Sequence, residues 1–318
     1  MTNPIISIIV PLHNNAFYII ETIASVLNQS FTQFEVIVID DGSTDKSYET
    51  LSKYQNQIVY FNQENKGPAA ARNKGLEISK GKYVMFLDAD DIILEEKLLH
   101  QFKFLEENPN IDLVYSNGYR FQVIDGVEKY RELDKTGELL NKNLNKEDYL
   151  YHLMSKNIFP IHAALLRTEK LKSIGGFDEK LSACEDWDLW YRFAENYSIA
   201  YFDENLIKYR LSEKSNSSDL MRNYREVENV MEKISKSASF SKAPKKIIGN
   251  HYFHRALNLL NLQDNNNFIE YFYRAFENHP LNIRFLLGFI LSKIFGKKTI
   301  IFFHLKRQIL GSRGRKSI

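Results

Sequence analysis

Four short apolar runs dominate the first ninety residues, each stopped by a polar or acidic turn. They are Ile5–Val10, Phe34–Ile39, Ile58–Phe61 and Tyr83–Leu87. Between them lie segments of helical character. Tyr18–Leu27 sets Ile19, Ile20, Ile23, Val26 and Leu27 on one helical face. Thr44–Tyr54 reads as a second helix, with Ser43 or Thr44 suited to its N-cap. Pro68–Ser79 reads as a third, with Pro68 in the first turn, where a missing N–H costs little. Runs such as Ile8-Ile9-Val10 and Val36-Ile37-Val38-Ile39 lack the in–out alternation of a half-buried sheet, so both faces must be covered. The β-α-β-α-β order predicts an α/β fold, a mainly parallel sheet with helices on both sides.

The remainder is less regular. A charged amphipathic helix is expected from Leu94 to about Glu107, then a strand over Ile111–Ser116. Residues 125–147 are polar and mixed and suit a hairpin or a variable loop. Structure resumes over 148–210, with Gly175-Gly176-Phe177 as a turn. Residues 212–219, rich in Ser and Asn, read as a mobile loop, and everything from about Met221 reads as helical. The expected division is a sheet-bearing domain over 1–215 and a helical region over 216–318.

The net charge of +2 is unevenly placed. Nine Lys or Arg and no Asp or Glu lie between Asn278 and Ile318. The body therefore holds 33 basic residues against 40 acidic ones, a net −7. That asymmetry makes an anionic surface a partner for the tail alone and gives no support to nucleic-acid binding by the body. The single cysteine, Cys184, can form no internal disulfide, which suits a reducing compartment. No basic stretch or small-residue cleavage site precedes Ile5, so no signal peptide is expected and the chain reads as cytoplasmic.

In open α/β sheets, ligands bind beyond the carboxyl ends of the strands. Acidic clusters fall there: Asp40-Asp41 after the second run, and Asp88-Ala89-Asp90-Asp91 after the fourth. A third, Glu185-Asp186-Trp187-Asp188, opens a later amphipathic helix. Crowded carboxylates repel unless a cation neutralises them. Mg²⁺ and Mn²⁺ take one or two carboxylates and complete their shells with substrate phosphates. The plainer account of Asp88–Asp91 is a solvated helix start, which the macrodipole favours by ~0.3–1 kcal/mol. Asp41 is placed to accept a hydrogen bond from the imide N–H of a uracil or thymine. In Asn65–Asn73, Gly67 and three alanines permit close packing, while Lys66 and Arg72 offer positive charge to a nucleotide.

Taken together these motifs resemble glycosyltransferase family 2, inverting enzymes of the GT-A fold, over about residues 1–215. The segments that carry the resemblance are Ser7–Asn14, Ser25–Ser30, Val38–Asp45, Asn65–Gly75, Phe86–Asp91, Gly175–Asp178 and Cys184–Trp190. The resemblance implies that Pro11, Leu12 and Asn14 line a base pocket beside Lys66, with Asp41 on the base and Arg72 supporting it. It implies that Asp88 and Ala89 meet the ribose and that Asp90 ligates a divalent cation, Mn²⁺ or Mg²⁺, bridging the diphosphate. Asp186 would be the general base, with Glu185 positioning it or the acceptor. The implied reaction moves a sugar from a nucleotide-sugar, UDP-linked by the base-pocket pattern with dTDP and GDP left open. Its implied acceptor is a hydroxyl of a glycan or lipid-linked molecule, in bacterial surface-polysaccharide assembly.

The chain departs from the family pattern where a histidine often joins the metal shell. Ser212 stands there, leaving the diphosphate to lean on Arg210 and Lys214. The Gln-x-x-Arg-Trp signature of processive synthases is absent, so one sugar per acceptor is expected. His162 reads as a packed histidine, with acceptor contact the alternative. Of Trp187 and Trp190, one is expected in the core and the other against a sugar ring. Leu281–Phe303 is apolar but broken by Arg284, Lys293, Lys297 and Lys298, too short an uncharged run to span a bilayer. It suits a helix on a membrane surface, aided by Lys306, Arg307, Arg313, Arg315 and Lys316, with a helical hairpin packed on residues 221–275 as the alternative. The rival readings are a nucleotidyltransferase, which would want a glycine-rich loop where Pro11–Asn15 stands, and a degenerate, non-catalytic nucleotide-sugar binder.

Overall fold

The computed structural model describes residues 3–133, 144–211, 219–262 and 267–298. The chain divides into two compact units, one of 1–153 with 157–218 and one of 154–156 with 219–318.

The first unit is a nine-stranded sheet. Strands β1 (Ile6–Leu12), β2 (Phe34–Asp41), β3 (Val59–Gln63) and β4 (Tyr83–Phe86) form its parallel half, in the order β3-β2-β1-β4. β1 and β4 are buried almost throughout, as their unbroken apolar runs require. The covering helices are α1 (Ile19–Leu27), α2 (Ser47–Leu51) and α3 (Pro68–Ile78). The second expected helix is thus shorter than Thr44–Tyr54, with a 3₁₀ turn over Ser52–Tyr54. Ser43 and Thr44 do not cap it, because the Asn14 amide captures them. Asn14 Oδ1 accepts from Thr44 N at 2.7 Å and Asp45 N at 3.2 Å, and Asn14 N donates to Ser43 Oγ at 3.0 Å.

The other half is mixed rather than parallel. β8 (Ala164–Arg167) runs antiparallel to β4 and to β6 (Leu113–Ile124). β9 (Ile199–Arg210) runs parallel to β6, and the short β5 (Ile92–Ile93) closes against β9. β6 also turns back on β7 (Val127–Glu132) as a hairpin. Asp125 and Gly126 make that turn with φ of 52° and 75°, the positive angles a two-residue hairpin demands. The Asp-Gly pair was the available signal for it. Helices α4 (Lys97–Glu107), α5 (Lys146–Leu153), α6 (Thr168–Ser173) and α7 (Glu185–Asn196) complete the unit.

The second unit is helical: α8 (Leu220–Ser235), α9 (Ala238–Lys242), α10 (Lys245–Asn261), α11 (Phe268–Asn278) and α12 (Ile283–Phe295). Phe253, Phe268, Phe272 and Phe285 form its aromatic core with Leu259 and Leu260. Arg255 ties α10 to Glu228 of α8 at 2.5 Å. Ser212 and Lys214 lie outside the described residues, as does the basic segment after Lys298.

The seating of α3 on the sheet depends on small residues. A Cβ on Gly75 would stand 2.3 Å from Ile9 Cγ2 in the middle of β1. Gly75→Ala is expected to lower stability by about 1–3 kcal/mol through overpacking, read by urea denaturation. An unchanged midpoint would mean that α3 is free to lift from β1.

Candidate active site

The site grows from strand ends. At the carboxyl ends of β1 and β2, Pro11 pairs with Ile39 and Leu12 with Asp40. Asp40 is buried and accepts from Ser43 N at 2.8 Å and Tyr60 Oη at 2.5 Å. Asp41, also buried, accepts from Gln63 Nε2 at 2.7 Å, Lys66 N at 2.9 Å and Gly67 N at 2.7 Å. These amides lead into α3, whose N-cap is Gly67 at φ 88° with Pro68 following. A carboxylate there satisfies helix-start N–H groups and meets the positive end of the dipole. Asp41 therefore shapes the loop beside Pro11 and Leu12, and one lone pair of its Oδ2 stays uncommitted among the hydrogen bonds described. The Lys66 side chain is exposed.

Arg72 makes its ion pairs with the Asp88 loop and with the start of α7. Its guanidinium does not support Asp41. It is buried, with Nη2 2.6 Å from Asp88 Oδ1 and Nη1 2.6 Å from Glu185 Oε1. Burial opposes the charge, but the two carboxylates outweigh it and hold the guanidinium firmly protonated. The next residue repeats the tie: Asn73 accepts from Phe177 N at 2.8 Å and donates to Phe177 O at 3.0 Å. Gly176 must be a glycine for this, since its φ is 67° and a Cβ would sit 2.5 Å from Asn73 Oδ1. One turn of α3 thus carries the Asp88 loop on one side and the approach to α7 on the other.

The loop after β4 is held from beneath. Thr22 of α1 donates its hydroxyl to the carbonyls of Ala89 at 3.0 Å and Asp91 at 2.9 Å. Asp91 is buried, accepting Arg210 N at 2.8 Å, and its Oδ2 lies 2.9 Å from His162 Nδ1. Burial raises the Asp91 carboxyl above its usual range, and His162 opposes that rise. The Arg210 guanidinium is committed to Glu21 and to the Asp90 carbonyl, at 2.8 Å for the latter, so it is no free cation for a diphosphate. His162 is packed, as expected, with its ring stacked parallel to Tyr209. Its place beside Asp91 is not written in the local sequence.

Asp90 and Asp186 are the two strained acids. Asp90 is pushed up to about 7, by burial first and then by Asp91 and Asp88. Asp186, at the start of α7, is also pushed up to about 7, by burial and by Glu185. Asn157 Nδ2 donates to Asp186 Oδ2 at 2.8 Å. Both tryptophans beside it are core residues, a correction to the expectation that one meets a sugar. Trp187 and Trp190 are buried, and Trp187 Nε1 donates to Leu153 O at 2.7 Å. Among the described residues no three His, Cys, Asp or Glu form a closed metal cage. The donor set at Asp88 and Asp90 suits instead an oxygen-seeking dication that completes its shell with substrate atoms, and such a charge would relieve the strain on Asp90.

Comparison with known proteins decides the family. Residues 7–175 match the model of glycosyl transferase family 2. The chain belongs to that family. It is accordingly a glycosyltransferase. It is 33% identical over 227 residues to an uncharacterized glycosyltransferase of Methanocaldococcus jannaschii, covering 68% of this chain and 74% of that one. S. aureus TarS 1–349, in complex with UDP-GlcNAc, superposes with a TM-score of 0.65 at 21% identity, covering 93% of this chain and 89% of that one. Of the longer S. aureus TarS the match covers 54%. A mannosyltransferase of Pyrobaculum calidifontis, in complex with GDP-Man and Mn²⁺, superposes with a TM-score of 0.59 at 18% identity, covering 94% and 83%. These likenesses show that the family 2 chain has the fold of those transferases.

The raised acid of Asp186 makes a stability prediction. A carboxyl near 4 when unfolded and about 7 when folded stabilises the fold fully below pH 4, and that contribution is lost as pH rises through 7. Asp186→Asn should therefore match the metal-free native protein in stability below about pH 4 and exceed it increasingly as pH rises to 7, by about 2–4 kcal/mol at pH 8. A difference that does not grow with pH would show that burial leaves Asp186 unperturbed.

Proposed function

We propose that this family 2 enzyme is a non-processive, inverting transferase that moves one sugar from a UDP-sugar to a hydroxyl of a glycan or lipid-linked acceptor. Cell-surface polysaccharide assembly is the setting that suits such a product. The observation that carries the reading is the Arg72 bridge, which draws the start of α7, with Asp186, toward the Asp88–Asp90 loop. A general base and a leaving-group site must lie on opposite sides of one sugar carbon for a single in-line displacement, and this bridge joins the two elements that would supply them.

The residues then have separate tasks. Pro11, Leu12 and the loop shaped by Asp41 border the base, with Asn14 bracing the Ser43–Asp45 turn and Lys66 at the rim. Asp88 takes the ribose, beside Ala89. Asp90, with Asp88, would hold Mn²⁺ or Mg²⁺. When bound, the ion supplies positive charge to the departing diphosphate. Asp186 accepts the acceptor's proton as the acceptor oxygen bonds to the sugar carbon and the bond to the diphosphate breaks. Asn157 orients Asp186, and Glu185, fixed by Arg72, raises its basicity. The fold shared with proteins in complex with UDP-GlcNAc and with GDP-Man and Mn²⁺ supports a nucleotide-sugar donor and a dication. The basic stretch from Asn278 onward supports a membrane surface as the place where a lipid-linked acceptor is met.

Calorimetry with UDP, GDP and dTDP, with and without Mn²⁺, is expected to show metal-dependent binding of UDP that Asp90→Ala abolishes. Metal-dependent binding of none of the three would sink the transferase mechanism as written and leave a degenerate, non-catalytic member of the fold. Asp186→Asn is expected to keep donor affinity and to lose ~10²–10⁴-fold in kcat. In the native enzyme kcat/KM should rise with pH through about 7 as Asp186 ionises. Full turnover in Asp186→Asn would remove the base assignment, and long polymeric products would remove the single-transfer assignment.

A further inference from the structure

The outer face of α12 carries an aliphatic stripe that the catalytic reading leaves unused. Ile283 is 68% exposed, Leu287 44%, Ile290 41% and Ile294 66%. At about 3.6 residues per turn these four fall within a narrow arc of the helix. The opposite face packs into the second unit through Phe285, Gly288 and Ser292, all buried, so the stripe points away from its own core. Arg284 and Lys293 fall about a quarter turn to either side of the stripe. Both are exposed, and the Lys293 ammonium sits 5.8 Å from the Phe289 ring centroid, at the margin between apolar and polar surface. No acidic residue occurs in α12 or anywhere from Asn278 to Ile318, while nine basic ones do.

This arrangement selects its occupant. A second copy of the chain, stripe to stripe, would set Arg284 and Lys293 against their own copies with no acid on the helix to answer them. The stripe itself is purely aliphatic and offers no hydrogen-bonding group to a shaped partner. An apolar arc edged with cations on both flanks is what a helix needs to lie in the plane of a bilayer, with the aliphatics among the acyl chains and the cations at the headgroups. At 13 residues α12 is too short to cross a membrane, and no helix among the described residues is long and apolar enough to do so. We infer that α12 docks this protein onto an anionic lipid surface, with Ile283, Leu287, Ile290 and Ile294 entering the bilayer and Arg284 and Lys293 bracketing them at the headgroups. The inference deepens the membrane part of the reading above. It is measured without sugar transfer, so either can fail alone.

The test is co-sedimentation of the full chain with vesicles of phosphatidylcholine containing about a third phosphatidylglycerol. Native protein is expected to bind, to release as salt is raised, and to bind pure phosphatidylcholine far less. The double variant Leu287→Glu with Ile294→Glu is expected to lose at least about tenfold in vesicle partitioning. Arg284→Gln with Lys293→Gln is expected to lose less and to bind with a weaker salt dependence. Both pairs are exposed, so unchanged thermal midpoints and an unchanged helical circular-dichroism spectrum would certify the variants as folded. Double-Glu protein that still binds like native protein would overturn the inference and assign the contact to the basic segment beyond Lys298. Equal binding to neutral vesicles would overturn the anionic requirement. A native dimer that the double-Glu variant dissociates, without vesicle binding by either, would overturn it in favour of a second copy.

Discussion

The Arg72 guanidinium is the interaction on which the site depends. Its two 2.6 Å contacts join Asp88, at the end of β4, to Glu185, at the start of α7, across nearly a hundred residues of chain. Breaking such a buried pair by removing the cation is strongly destabilising, because two carboxylates are left in a poorly solvated place. The position of Arg72 is in turn fixed by how closely α3 lies on β1, which Gly75 permits, and by the Asn73–Phe177 clamp one residue later. Close packing of a small-residue helix thus sets the relation between the two acidic clusters of the site.

Around that bridge, among the described residues, the site carries more negative charge than its cations answer. Arg72 serves Asp88 and Glu185, while Arg210 serves Glu21 and the backbone of the Asp90 loop. Among the described residues Asp90 and Asp186 have no guanidinium of their own, and burial drives both acids toward neutral pH. The excess suits the roles proposed above, with one acid to receive a cation and the other to receive a proton. Such sites are held against their own repulsion by the rest of the fold. Here the holding is done by Thr22, His162 and the backbone of Arg210 beneath the Asp88–Asp91 loop, and by Asn157 beside Asp186.

Much of this was legible in the residues. The apolar runs that end in Asp40-Asp41 and Asp88–Asp91 gave the parallel half of the sheet and pointed to its carboxyl edge as the candidate site. The mixed half was less legible, because β8 and β9 carry no periodicity that distinguishes parallel from antiparallel pairing. That choice follows from which edge of β6 each strand reaches. The tryptophans misled for a related reason. Residues three apart on α7 share a face, and only packing against Leu153 and Phe159 shows that both are inside.

The sequence by itself determined the family and the strand–helix order of the parallel half, and it singled out the candidate acids, because these are local patterns of polarity, spacing and residue type. It could not determine the partners of those acids. Arg72 read as a donor-site cation and emerged as a bridge. Arg210 read as a diphosphate contact and emerged bound to Glu21. His162 read as ordinary packing and emerged beside Asp91. Each pairing joins residues more than a dozen positions apart, and a buried charge takes whichever opposite charge the packing brings within reach. Only the tertiary structure decides that, since the cost of leaving a charge unpaired is set by burial and distance, and neither is written along the chain.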